Sequence, residues 1–332
     1  MRRDVWIEGD DGLRIGFYDD WMADQVVDMF VAQYGGDRAT QALHFERFYE
    51  ASFQRPHGLR LVALDGERVC GFQTYFYWPY RCGDERLRSF QSGSSLVSPE
   101  YRGRQIFARL LNFLSQIRDR PQVDFLMGFP VEMSYGSFLR NGWHNPLNLR
   151  WYVRPIRPLS IARASAPPDA AWRFDRNPEP IDVAYPAGLF ALSKDADFQA
   201  WRRSYGDRGP GYLYFHHGEG GKAIRFELKP NRRGRLQELV LGDIVRSSED
   251  PALLARGLRE LVRAVRGHRF VTLLSVALNP DAADGQLVAA LRRRGFFRIK
   301  RSIYFIVKPV DGRPELLDPR CWQLYRSDID TW

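Results

Sequence analysis

With 332 residues, the chain exceeds what one hydrophobic core ordinarily organises, so its length predicts two domains. Its 44% hydrophobic, 14% aromatic and 27% charged residues supply packed cores and exclude a disordered chain, and three cysteines are too few for a disulfide miniprotein of this size. A net charge of +9 admits nucleic acid, a phosphate-rich cofactor or an anionic surface as partner, but only five of the 49 basic residues are Lys, and such an Arg bias reads first as codon choice in a GC-rich genome.

Taken in chain order, hydrophobic period predicts a strand at LRIGFY, helices at WMADQVVDMFVAQY and TQALHFERFYEASF, and strands at LRLVAL, GFQTYFYW and RLRSFQSGSSLVS. A helix follows on Ile106, Phe107, Leu110, Leu111, Leu114 and Ile117, then a buried strand VDFLMGF, a short helix SYGSFLRNGW closed by a Gly, and a strand LNLRWYVRP. Pro155, Pro158, Pro167, Pro168, Pro178 and Pro180 then block helix propagation and ladder donation, which suits a connector. The predicted organisation is an N-terminal domain at 1–155, a Pro-rich linker at 156–180 and a C-terminal domain at 181–332.

The second half repeats the order of the first: strand RLQELVLGDIV, helix on Leu254, Leu258, Leu261, Val262 and Val265, strand FVTLLSVALN, helix QLVAALRRRGFF, strand RIKRSIYFIVKP. FLRNGW and LRRRGF punctuate the two halves alike, each a Gly-aromatic pair before a strand. This reads as a divergent tandem repeat of one α/β or α+β layer domain. The longest apolar runs, such as VTLLSVAL, fall short of the roughly 20 residues that span a bilayer, and MRRDVWIEGD lacks the apolar core of a signal peptide. A cytoplasmic location without membrane contact is therefore expected. Cys70, Cys82 and Cys321 lack metal spacing, and the six His show no ligand pattern, so no metal is expected and the thiols are expected to be reduced.

Chemistry concentrates at SPEYRGRQ, the basic, Gly-containing turn between the strand ending at Val97 and the helix beginning near Ile106. A strand feeding such a loop and then a helix N-terminus aims backbone N–H groups and the positive end of the helix dipole at one point, a geometry suited to pyrophosphate. Arg102 and Arg104 add charge there.

At this stretch the sequence resembles the GNAT superfamily of acyl-CoA-dependent N-acyltransferases. VSPEYRGRQIFARLL is similar to that family's acyl-CoA loop, usually Val-x-Pro-x-x-Arg-Gly-x-Gly-Ile-Gly, and SYGSFLRNGW to its second cofactor segment. The resemblance covers residues 13–154 closely and 185–310 in topology. It implies two tandem GNAT-like units, each a mixed, strongly twisted central sheet flanked by helices, and a V-shaped split between the strand ending at Val97 and VDFLMGF. It further implies that a pantetheine arm pairs with backbone at Leu96 and Val97, and that a pyrophosphate sits on N–H groups from Arg102 through Gly103, Arg104, Gln105 and Ile106 to Phe107. Gln105 and Phe107 depart from the family's Gly. Gln keeps its backbone N–H, which suffices unless the loop requires positive φ there.

The implied reaction is direct attack of a small-molecule amine on the thioester of acetyl-CoA or another short acyl-CoA, with no covalent enzyme intermediate. It needs a base, a donor to the carbonyl oxygen and an acid for the thiolate. The family's frequent Glu on the strand before the loop falls on Gln91, which cannot be a base but could hold a water. Its thiolate-protonating Tyr falls on Phe138. Ser134 and Tyr135, opening the short helix, are the nearest hydroxyl candidates, beside readings as an N-cap and a packed aromatic, and Glu132 is the nearest carboxylate. In the second half the loop reads RSSEDP, where Glu249 and Asp250 would cap the helix themselves and repel a pyrophosphate, so that unit is expected to be degenerate and without cofactor. Two rival readings stand beside this one: a Fem-like transferase using aminoacyl-tRNA, the sole reading that brings in nucleic acid, and a non-catalytic acyl-CoA-binding protein. Oligomeric state is open.

Overall fold

The structure, a computed structural model, describes residues 5–117, 121–157, 172–205, 211–283, 285–310 and 312–332. Residues 158–171 of the expected linker lie outside the described residues. In the first half, β1 (Trp6–Glu8) and β2 (Leu13–Phe17) lead into α1 (Ala23–Tyr34) and α2 (Arg38–Phe45), which runs on through a wider turn at Glu46–Glu50. Helix α2 begins two residues before the apolar pattern does because Asp37 caps it, accepting from the Thr40 N–H at 2.8 Å. Strands β3 (Leu59–Asp65), β4 (Arg68–Tyr77), β5 (Tyr80–Cys82), β6 (Glu85–Leu87) and β7 (Ser89–Val97) follow, then α3 (Ile106–Gln116), β8 (Phe125–Gly128), α4 (Glu132–Arg140) and β9 (His144–Pro155). The strand expected across RLRSFQSGSSLVS is broken at Arg88, whose N–H leaves the ladder to donate to Asp124 at 2.6 Å.

The second half supplies β10 (Phe190–Leu192), α5 (Ala196–Tyr205), β11 (Leu213–Glu219), β12 (Lys222–Arg233), β13 (Leu236–Arg246), α6 (Pro251–Gly267), β14 (Leu273–Leu278), α7 (Gln286–Arg293), β15 (Phe297–Pro309) and the short β16 (Trp322–Gln323). The repeat is visible in the order β7–α3–β8–α4–β9 against β13–α6–β14–α7–β15. In each copy a parallel strand pair, β7 with β8 and β13 with β14, is bridged by a crossover helix. Those helices bury one stripe: Ile106, Leu110, Leu111, Phe113 and Leu114 on α3, and Leu254, Leu258, Leu261, Val262 and Val265 on α6. No described helix is long and apolar enough to cross a membrane.

The mixed α/β layers are those expected, with one addition that sequence periodicity does not show. The two halves share a single 12-stranded sheet, ordered β1-β2-β3-β4-β7-β8-β15-β9-β14-β13-β12-β11. Each half gives the strand that closes its repeat to the other. Strand β15 pairs with β8 (Ile306 opposite Gly128, Val307 opposite Met127), and β9 pairs with β14 (Val153 opposite Ser275, Tyr152 opposite Val276). The exchanged strands pair antiparallel with one another along the middle of the sheet.

A second sheet, β16-β10-β5-β6, crosses the halves again. Its aromatic side chains form one cluster from both: Trp322 lies 4.7 Å from Phe305, 4.9 Å from Phe190, 5.5 Å from Phe125 and 5.7 Å from Tyr80, ring centre to ring centre. The alternating aromatics of β4 are buried on both faces, Tyr75 on one and Phe76 with the following Trp78 on the other. Each such ring contributes about 1.5–3 kcal/mol by leaving water, so the join between halves is a core.

Separated halves should therefore fail to fold. A fragment 1–157 leaves the edges of β8 and β9 without β15 between them, and a fragment 172–332 leaves β14 without β9. Expressed alone, each should aggregate or lack a cooperative melt; co-expressed, they should copurify as one complex with a single transition by circular dichroism.

Candidate active site

Strands β7 and β8 hydrogen-bond only from Ser89 opposite Phe125 to Gln91 opposite Met127. Beyond that point they part, β7 running on to Val97 while β8 ends at Gly128. The wedge between them opens into a cleft of about 1040 Å³. Its walls come from Ser92–Val97 of β7, from the turn before α3 and its first residues, from Gly128–Val131, and from the inner side of α4. Gln33 and Tyr34 at the end of α1 line it too, as do Asp330 and Thr331 after β16.

A bulge shapes the β7 wall. Phe72 lies opposite Leu96 and Thr74 opposite Gly93, so Ser94 and Ser95 together face Gln73, and Ser94 takes a φ of 44°. Gly93 is required there, since a Cβ would stand 2.4 Å from the ring of Phe76. Around the bulge the hydroxyls are tied: Tyr49 Oη to Ser94 Oγ, Gln73 Nε2 to Ser92 Oγ at 3.0 Å, and Ser95 Oγ to Gln73 Oε1 at 2.5 Å. Leu96 and Val97 continue the wall.

At the outer mouth, Gly103 has φ 86° and Gln105 φ 57°, so two left-handed residues turn the chain into α3. The loop does require positive φ at Gln105, at a cost of roughly 1–2 kcal/mol for a residue with a Cβ. No side chain caps the helix, which leaves the first N–H groups of α3 directed toward the cleft mouth. Gly103, Gln105, Ile106 and Phe107 line the cleft, with Arg102 beside them. Arg104 instead reaches Asp11 at 3.4 Å and does not line the cleft. A second cation that the sequence reading missed, Arg140 of α4, lines the same cleft.

The catalytic candidates separate. Ser134, in the first turn of α4, lines the cleft and donates to the Val131 carbonyl at 3.2 Å. Tyr135 does not line it: its ring stacks on Tyr304 of β15 at 4.3 Å, and the Tyr304 hydroxyl donates to Glu132 at 2.9 Å, so Tyr135 and Glu132 are engaged together elsewhere. Phe138 faces the cleft and packs edge-on against Phe107 at 5.3 Å.

Gln91 is 1% exposed, at the apex of the wedge; its amide lies near enough to Asp330 to favour the carboxylate, yet neither Nε2 nor Oε1 has a hydrogen-bond partner among the described residues. Burial pushes the Asp330 carboxyl above its ordinary range, an effect opposed by Arg202, Arg326, the Gln91 amide and the Thr331 N–H. Among the described residues lining the cleft, Asp330 is the one carboxylate, and no His or Lys joins it. The run QSGSS carried a signal for the bulge, a Gly among hydroxyls inside a strand; nothing local to Asp330 marked it, 239 positions from Gln91.

In the second half, Asp250 caps α6 as its sequence suggested, accepting from the Ala252 N–H at 2.8 Å and from Lys222 at 2.9 Å. Those bonds hold its carboxyl below the usual range. Among the described residues, no group of three or more His, Cys, Asp or Glu gathers as a metal site.

No family model and no curated protein matches the chain. Solved structures do. A GCN5-related N-acetyltransferase from Anabaena variabilis aligns with a TM-score of 0.56 at 12% identity, over 89% of this chain and 72% of that one. One from Kribbella flavida gives 0.54 at 15% identity, over 90% and 72%. A conserved protein from Enterococcus faecalis gives 0.60 at 13% identity over the same shares. At such identities the likeness is one of architecture: the chain has the fold of the GCN5-related N-acetyltransferases.

Replacing Gln105 with Gly should relieve the left-handed strain and stabilise the chain by about 1 kcal/mol. Gln105→Val, β-branched at positive φ, should destabilise it. Urea melts with an unchanged m-value read both signs.

Proposed function

We propose that this protein is an N-acyltransferase that moves an acetyl or other short acyl group from acyl-CoA to a small-molecule amine by direct attack in a ternary complex. We read residues 1–155 and 181–332 as its tandem units, with 156–180 as linker. The observation that carries this reading is the splayed β7–β8 pair with a left-handed, Gly-containing loop and an uncapped helix N-terminus at its mouth. Exposed backbone on the β7 wall offers a pantetheine arm a strand to pair with at Leu96 and Val97. The α3 amides and dipole favour pyrophosphate, with Arg102 and Arg140 flanking as charge-assisted donors. A cleft of about 1040 Å³ has room for both the acyl arm and an acceptor.

Direct attack also fits the cysteines. None lines the cleft, and burial pushes the Cys70 thiol up to about 11, so it is protonated and a poor nucleophile at neutral pH. The leaving thiolate needs little help: a free thiol has a pKa near 8.5 and is mostly protonated at pH 7. We assign the relay of a proton to it to Ser134, which lines the cleft in the first turn of α4.

Calorimetry with acetyl-CoA should give one site per chain. Gly103→Pro should abolish binding, because Pro cannot take the φ of 86° and lacks the N–H. Arg102→Ala and Arg140→Ala should each weaken binding about tenfold, and Arg256→Glu, on α6, should leave it unchanged. Two sites per chain, or equal losses in all four, would reject this placement of the cofactor.

Turnover, followed as thiol release, should survive Cys70→Ala, Cys82→Ala and Cys321→Ala. Loss of turnover in one of them with a trapped acyl-enzyme would replace direct transfer by a covalent route.

A further inference from the structure

We propose that Asp330 is the general base of this site, taking the proton from the ammonium of the acceptor before its nitrogen attacks the thioester. The inference rests on the acyl-CoA reading of the cleft and names the group that reading lacks. Gln91 occupies the apex of the wedge, and an amide does not accept a proton near neutral pH. The Asp330 carboxylate lies near that amide and lines the cleft at that end. A pantetheine arm paired along Val97 and Leu96 toward Ser92 would deliver its thioester to this end.

The surrounding structure holds Asp330 in place from both sides. Before it, the Asp328 carbonyl accepts from the Trp78 indole at 2.9 Å, and Arg202 donates to the Ser327 carbonyl at 2.8 Å. After it, Trp332 packs where a Gly242 side chain would be, and its Nε1 donates to the buried Glu227 at 2.6 Å. A loop carboxylate held by buried indoles on both sides, that of the distant Trp78 and that of the neighbouring Trp332, has the positional definition that proton transfer needs.

The charges facing it set its strength. Arg202 of α5, Arg326 of its own segment, the Gln91 amide and the Thr331 N–H favour the carboxylate, while burial disfavours it. The outcome, above the ordinary carboxylate range, makes Asp330 a stronger base than an exposed aspartate.

In the step, one ammonium proton passes to the Asp330 carboxylate and frees the nitrogen lone pair. A C–N bond forms at the thioester carbonyl carbon. As the C–S bond breaks, the sulfur keeps the bonding pair and takes the second nitrogen proton through Ser134 or water. The products are the amide and the free thiol of CoA, and Asp330 returns its proton to solvent.

The test compares two probe amines with acetyl-CoA as donor: n-butylamine, which is an ammonium at neutral pH, and hydroxylamine, which is largely unprotonated there. Asp330→Asn should lower kcat/KM for n-butylamine by a hundredfold or more and that for hydroxylamine by less than about fivefold. Acetyl-CoA affinity should be unchanged, and the acidic limb of the n-butylamine pH profile should disappear. Asp330→Glu should restore part of the n-butylamine rate. A full n-butylamine rate in Asp330→Asn overturns the proposal. Equal losses toward both amines also overturn it, since they mark a structural or binding role. A wild-type protein that binds acetyl-CoA and transfers to neither amine sinks the acyltransfer reading and this base with it. In contrast, wild-type transfer that Asp330→Asn retains sinks the base alone.

Discussion

Strands β9 and β15 run antiparallel along the middle of the sheet, each seated beside the half of the molecule to which it does not belong in sequence. Much else in the structure depends on that pairing. It turns two repeated units into one ladder, and it places Phe305 and Val307 of the second half in the core beneath the first. It also fills the far edge of β8, so that strand is held firmly on one side while its other side is free to part from β7. A wedge between two strands persists only if neither can swing over to close it; β4, paired along β7 on both sides of its bulge, holds β7, and β15 holds β8.

The same join brings the segment after β16 to the cleft. Trp322 is packed among rings from both halves, Trp78 of the first half donates to the Asp328 carbonyl, and Trp332 rests on Gly242 of β13. Three indoles thus fix the path of residues 322–332, and the carboxylate of Asp330 arrives at the wedge apex as a consequence. The second half, whose α6 N-terminus is closed by Asp250, serves the first by lending β15 and this segment.

Charge is distributed along the cleft in a way that matches the proposed transfer. The outer mouth has helix amides and two arginines, suited to phosphates. The inner end has bound hydroxyls, an amide and one carboxylate, suited to an amine and its proton. Strain is placed in the left-handed Gln105 at the mouth and in Ser94 on the β7 bulge. Both residues shape backbone that faces the cleft, which is where a fold tolerates such conformations.

Sequence alone determined the local structure and the loop at the cleft mouth. Alternating and helical periods depend on which face of a short element is apolar, so α3, α6, β8, β13 and the repeat order were legible, and so were the loop at Gly103 and the cap at Asp250. These features are set within ten or so residues, where φ preference, capping and the helix dipole act. Tertiary structure alone decided the rest. Which strand fills the edge of β8 depends on a pairing between residues 125–128 and 306–309, and no local period records it. Tyr135 lost its expected place because a ring from β15 was available to stack upon, and Arg104 lost its own to Asp11. Asp330 sits in a stretch with no periodic pattern, and its environment comes from its own turn, from Arg202 of α5, 128 positions away, and from Gln91 of β7, 239 positions away. Burial and electrostatics fall off over a few ångströms of space rather than of sequence, so a carboxylate's neighbours are known only after the chain has folded.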